Sequence, residues 1–300
     1  MASVTGVKRR ARRAFHKALG HERTNELGAR PDQRGAPQFA RPVSQACTAA
    51  QIGDAKFAEW CERIGHPVLM HRKLWEWCYI LEALESSGAI VDGAKGVGFG
   101  VGREPIASYL VSQGCRVTVT DLPSGTAEAD HWSGAAQWAA DLDATRDDNL
   151  CTAEEYAARA EFQPVDMRSI PAELEGYDFS WSSCAFEHLG TLGAGLDFLR
   201  EQMRVLRPGG VAVHTTELNV CCNLATIDEG ETVLYRRRDL ERLRRDLAGA
   251  GHSMTLNFTL GDDPADRHVD TVPWTNVHLN RRMDGYVITS FGMTIRKGMQ

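Results

Sequence analysis

Apolar residues between Gln51 and Ser87 recur at three- and four-residue steps: Phe57, Trp60, Cys61 and Ile64, then Leu74, Trp77, Cys78, Leu81 and Leu84. That spacing predicts amphipathic helices, with Trp75 and Trp77 read as core. Beyond Ile90 the pattern changes. Short apolar runs such as Cys115–Thr120 alternate with helix-length segments, which predicts parallel strands joined by crossover helices. Helices are expected over 125–148, 152–160, 192–206 and 236–249. The second opens on Thr152 with Glu155 three residues on, and the third is closed by Pro208-Gly209-Gly210. Strands near 254–260 and 286–296 are expected to pair antiparallel, with a polar loop, 261–285, between them. A loop of that length in a compact domain is usually functional or disordered. The chain divides into a basic, flexible leader (1–45), a helical cover (46–89) and an α/β domain (90–300).

Composition narrows the class. Of 300 residues, 43% are hydrophobic and 25% charged, as in ordinary globular proteins. No apolar run approaches the roughly 18 residues a membrane span needs. The N-terminus lacks the apolar stretch of a secretory signal, and the eight cysteines show no C-x-x-C spacing. They read as thiols of a reducing, cytoplasmic compartment, and structural zinc is not expected. Charge is uneven: residues 1–45 hold ten Lys/Arg against three acids, the remainder 24 against 37. The acidic body disfavours nucleic acid as a partner. The leader reads as a solvated tail, with weak contact to an anionic membrane surface as the rival reading. Oligomeric state is not legible.

Gly96 to Asp121 carries the most specific chemistry. A dinucleotide fingerprint needs G-x-G-x-x-G, so that a pyrophosphate can sit on the helix N-terminus. No register of this stretch supplies it. Instead Gly98, Gly100 and Gly102 form G-x-G-x-G, Glu104-Pro105 opens the helix, and Asp121 follows nineteen residues after Gly102. A carboxylate at the helix mouth suits a ligand carrying an ammonium or sulfonium rather than phosphates. Ligands of open α/β sheets bind beyond the carboxyl ends of the strands. Asp121, Asp166 and Ser182, at the ends of three strands, therefore join the glycine turn as candidates.

Together with FQPVDMRSIP, YDFSWSSCAFEHLG and MRVLRPGGVAVHTTE, this unit resembles the class I S-adenosylmethionine-dependent methyltransferases from Ile90 to Arg296. The resemblance implies a Rossmann-like doubly wound seven-stranded α/β sheet, with a closing antiparallel strand pair and the N-terminal helical cover. It implies S-adenosylmethionine as cofactor (S-adenosylhomocysteine as product), held by Gly98, Gly100, Gly102, Glu104, Asp121, Leu122, Asp166, Met167 and Ser182. Asp121 would accept from both ribose hydroxyls and Asp166 from the adenine amine. The acid usual two residues before the first glycine is replaced by Gly96, and Glu104 is the candidate to hold the amino group. His188, Glu187 and His214 are the catalytic candidates; His214, inside a strand, also reads as a core histidine. Substrate contacts are assigned to His71, Arg72, Lys73, Glu217, His268, Trp274 and His278. Glu187 and His188 are weak metal ligands, and a divalent metal is not favoured because Cys184 stands where relatives with E-x-x-E-H have an acid. The expected reaction is O-methylation of a sugar, glycan precursor or other small polar metabolite. Nitrogen or carbon methylation, or nucleoside binding without catalysis, are the alternatives.

Overall fold

The computed structural model describes residues 35–123 and 138–300. The leader up to residue 34 and much of the helix expected over 125–148 fall outside that range. Within 138–148 the chain forms only a 3-10 turn at Asp143–Thr145.

The parallel part of the sheet begins at β2 (Lys95–Phe99), followed by α4 (Pro105–Ser112) and β3 (Arg116–Asp121). After α5 (Ala153–Arg159) come β4 (Ala160–Pro164), β5 (Tyr177–Ser183), α6 (Leu192–Glu201) and β6 (Leu206–Asn219). These five strands run parallel in the order β4-β3-β2-β5-β6. The order reverses between β2 and β5, so the crevice for a ligand opens at their carboxyl ends. Side chains alternate across the strands. Val117, Val119, Phe179 and Trp181 enter one apolar core with the N-terminal helices, whereas Val97, Phe99 and Ala212 enter another with α6. Thr152 caps α5 as its spacing predicts, with Glu155 reaching back to the Thr152 N–H.

The closing edge departs from expectation. β10 (Tyr286–Arg296) pairs antiparallel with β6 along nine residue pairs. Its other neighbour is β1 (Ser44–Ala46), antiparallel to β10 and parallel to β8 (Leu256–Asn257). The strand expected over 254–260 is instead two short pieces, β7 (Ser253–Met254) on β10 and β8 on β1. The sheet therefore has ten strands among the described residues rather than seven. A boundary at 45/46 cuts through β1, whose three residues are buried, and Phe39 before it is buried as well. The 261–285 segment is also shorter as a loop than expected: it contains α8 (Pro264–Arg267) and β9 (Asn280–Met283), which forms a hairpin with β10.

The cover is three helices, α1 (Ala49–Ile52), α2 (Ala55–Arg63) and α3 (Arg72–Ser86). α3 lies across β5, β6 and β10. Its close approach depends on Gly292, where a Cβ would come within 2.2 Å of the Tyr79 ring. Arg236 precedes α7 (Arg237–Gly249) and is held by Asp239, which accepts from the Arg236 backbone and guanidinium.

Candidate functional site

A cavity of about 570 Å³ opens where the strand order reverses. Its floor is the turn after β2. Gly100 and Gly102 adopt φ of 59° and 55°, and a Cβ on Gly100 would sit 2.8 Å from the Ala185 side chain. Both glycines line the cavity; Gly98 does not, because its open side is filled by Trp181. Gly96 is likewise closed by Phe179, 2.2 Å from where a Cβ would be, so no acid fits at that position.

Asp121, at the end of β3, is buried and lines the cavity. Its carboxylate accepts from the N–H groups of Gly102 (3.2 Å), Leu122 (2.8 Å) and Ala139 (3.1 Å). A carboxylate offers about four acceptor positions, so the capacity left is for about one further donor rather than two. Burial raises its pKa against those three bonds. Leu122 and Met167 line the same wall. Asp166 does not: β4 ends at Pro164, and the Asp166 carboxylate is clasped by Arg168 at 2.8–3.0 Å. Ser182 is also elsewhere. Its hydroxyl is buried against His214 Nδ1 at 2.8 Å.

Glu104 caps α4 without a side-chain capping bond and turns into the cavity instead. Its Oε1 lies 3.6 Å from Lys73 Nζ, and its Oε2 makes no well-formed hydrogen bond among the described residues, with Trp77 and Ser183 standing beside the carboxyl. Burial pushes this carboxyl up to about 7, against the pull of Lys73. Lys73 enters from α3, its Nζ 2.8 Å from Glu76 and 3.3 Å from the Ser183 hydroxyl.

Of the three histidine and glutamate candidates for catalysis, only His188 lines the cavity. Its Nδ1 is 2.8 Å from the carbonyl oxygen of Glu231. A carbonyl only accepts, so Nδ1 carries the proton and the lone pair lies on Nε2. Burial lowers the His188 pKa. His214 is fully buried between the edges of Phe186 and Phe198, and burial lowers its pKa to about 3. It is the core histidine of the two readings and does not reach the cavity. Glu187 is buried behind it, accepting from Thr216 at 3.1 Å, and burial pushes its carboxyl up to about 8.

The expected substrate contacts separate into two groups. Arg72 and Glu217 are buried behind Lys73, where Glu217 Oε1 receives Arg72 (2.8 Å) and Arg281 (3.1 Å). His71 stacks on His278 at 4.9 Å, His278 bonds Asp270 at 2.6 Å, and Trp274 meets the His278 edge. This second group, with exposed His268, stands outside the cavity. Burial and the neighbouring His278 take the His71 pKa down to about 4. Several cavity residues escaped the sequence reading, among them Trp77, Arg103, Trp138, Ser183 and Glu231. Ser183 directly follows the Ser182 strand position and could have been found by alternation. Trp77 fits the helical core stripe, and nothing in the pattern marks it as facing a ligand.

Comparison with known proteins gives three findings. Residues 97–214 match the family described as a methyltransferase domain. A 67-residue stretch is 37% identical to malonyl-[acyl-carrier protein] O-methyltransferase of Salmonella typhimurium, spanning 22% of this chain and 26% of that enzyme. Solved structures with similar coordinates include TehB from Haemophilus influenzae (14% identity, TM-score 0.45, 81% of this chain and 67% of that one). Another is 1,6-didemethyltoxoflavin-N1-methyltransferase from Burkholderia thailandensis, with S-adenosylhomocysteine bound (17% identity, TM-score 0.39, 72% and 78%).

Proposed function

We propose that this chain, whose residues 97–214 match the family described as a methyltransferase domain, is a class I S-adenosylmethionine-dependent methyltransferase that methylates a hydroxyl on a small polar acceptor. A sugar, a glycan precursor or another polar metabolite is the class of acceptor we favour. The observation that carries the reading is the convergence of the Gly100–Gly102 turn, Asp121, Glu104 and His188 on one cavity.

The residues present suit S-adenosylmethionine. The buried Oε2 of Glu104, which makes no well-formed hydrogen bond among the described residues, offers an acceptor for the ammonium of the methionine moiety, in place of the acid excluded at Gly96. The remaining acceptor capacity of Asp121 suits one ribose hydroxyl, and Leu122 and Met167 supply apolar surface for a base. Asp166 and Ser182 drop out of the cofactor set. When bound, the cofactor supplies an electrophilic methyl group on sulfonium sulfur.

Transfer is an in-line displacement, so the protein must align the acceptor and take up its proton. His188 is the group we assign to the proton. Its Nδ1–H is fixed on the Glu231 carbonyl, which leaves Nε2 as the basic nitrogen. Lys73, tied to Glu76 and Ser183, orders the wall between the Glu104 end and the cover helix. No helix of the described residues is long and apolar enough to cross a membrane.

The test is calorimetry with S-adenosylmethionine, followed by methyl-transfer assays on panels of sugars and polar metabolites. Cofactor binding with turnover on an alcohol supports the reading. Turnover on amines or carbon acids alone would move the chemistry to the alternatives, and binding without turnover on any panel would favour a nucleoside-binding module.

A further inference from the structure

We propose that Cys184, Glu187 and Glu217 form a binding site for one divalent ion of the zinc class, beside the cavity. One ligand atom from each lies within 4.8 Å of the other two. Bonds of about 2.0–2.3 Å in tetrahedral geometry put ligand atoms roughly 3.3–3.8 Å apart, so closure needs side-chain shifts of about 1 Å.

One further observation points to a ligand. Glu187 Oε1 and Glu217 Oε2 are buried and make no well-formed hydrogen bond among the described residues, with the Cys184 thiol standing beside the Glu187 carboxyl. Each carboxylate is anchored by its other oxygen, Glu187 on Thr216 and Glu217 on Arg72 and Arg281, so the remaining oxygens are the ones available to an ion. A buried carboxylate oxygen left unpaired is costly, and coordination is one of the few ways to satisfy it. Cys184, for its part, adopts φ of 50°, a left-handed conformation uncommon for a residue with a side chain. Its N–H is fixed on the Thr215 carbonyl at 3.1 Å, and the residue lines the cavity, which gives an ion a path in.

The donor set selects the ion. One thiolate with two carboxylates favours zinc, cobalt or iron(II) over magnesium or calcium, which take oxygen ligands only. The Cys184 thiol gives up its proton to solvent on binding, because the thiolate is the metal ligand. The sequence placed the weak metal ligands at Glu187 and His188. His188 instead directs Nδ1 to Glu231, and Glu217, from the neighbouring strand, completes the set.

Cobalt(II) titration of the full chain tests the site without assaying activity. A thiolate-to-cobalt charge-transfer band saturating at one equivalent is expected, with zinc displacing the cobalt. Cys184→Ser should abolish the band, and the near-isosteric Glu187→Gln should weaken cobalt binding at least about tenfold. Circular dichroism confirms that both variants are folded. A folded wild-type chain without a band overturns the proposal. So does a band that survives Cys184→Ser, which would place the ion on another thiol such as Cys221 or Cys222.

Discussion

Glu104 and Lys73 face each other across the cavity with 3.6 Å between carboxylate and ammonium, yet the second Glu104 oxygen makes no well-formed hydrogen bond among the described residues. A carboxyl buried so that its pKa lies near 7 is half protonated at neutral pH, and only the ionised form attracts an ammonium. Cofactor affinity should therefore rise several-fold from pH 6 to pH 7.5, as the ionised fraction grows. Glu104→Gln should flatten that dependence and weaken binding at the upper end. Calorimetry at both pH values checks this; an unchanged slope in the variant would remove Glu104 from the cofactor site.

Asp121 holds three backbone N–H groups and retains acceptor capacity toward the cavity. Asp121→Ala should cost the cofactor on the order of 2–3 kcal/mol, or roughly 30- to 150-fold in affinity. It should also lower the melting temperature of the ligand-free protein, because three N–H donors lose their acceptor. Calorimetry and thermal unfolding separate the two effects. Normal affinity in a folded variant would end the ribose assignment.

Much of this site was legible in the chain, and the limits have physical causes. Gly100 and Gly102 were recognisable because a left-handed turn at close quarters needs glycine, and Asp121 because it ends an apolar strand. Asp166 and Ser182 follow the same logic, yet neither lines the cavity. One is captured by Arg168, two residues away, and the other faces His214 across the sheet. Strand-end position identifies a residue near the crevice but not the direction of its side chain. β1 was missed because three residues are too few to show alternation. The Arg72–Glu217–Arg281 group joins three distant segments, and no spacing rule connects them.

His188 and His214 make opposite predictions. His188 lines the cavity with its Nδ1 on the Glu231 carbonyl, so His188→Ala should lower turnover at least about 100-fold with cofactor affinity within a few-fold. His214 is packed between Phe186 and Phe198, so His214→Ala should instead destabilise the fold by about 2–4 kcal/mol through the cavity it leaves. Denaturant unfolding and steady-state kinetics on both variants distinguish them. Near-normal turnover in His188→Ala would sink its role as base.

β1 predicts where the N-terminus can be shortened. Ser44 donates to the Thr294 carbonyl and accepts from its N–H at 3.0 Å, and Tyr79 donates to the Val43 carbonyl at 2.8 Å. A chain beginning at Gly35 keeps these bonds, whereas one beginning at Thr48 loses them and exposes the flank of β10. The shorter chain should unfold several degrees lower and aggregate more readily through the bared strand edge. Equal melting temperatures would show that β1 contributes little to the sheet.

Glu76 gives the last prediction. It is fully buried on α3 between Lys73 at 2.8 Å and Arg72 at 3.2 Å, with the Ser290 hydroxyl donating to it. Burial alone would push its carboxyl up, but the two cations and that hydroxyl hold it at about 2. Its folded pKa is therefore below the ordinary value near 4.5. The corresponding stability is present in full above that value and is lost as pH falls toward 2. Replacing Glu76 with Ala leaves two cations inside the protein without their shared partner, a loss that typically costs about 3–5 kcal/mol. Lys73 would also be released toward Glu104, its other carboxylate neighbour. Glu76→Ala should thus destabilise the fold across neutral pH, and its unfolding free energy should fall less steeply between pH 4.5 and 2 than that of the wild type. Cofactor affinity should drop as well, because a freed Lys73 neutralises the carboxylate that the ammonium needs. Urea unfolding at several pH values, paired with calorimetry, reads both effects; wild-type behaviour in both would show that the buried ionic cluster supports neither the cover helix nor the site.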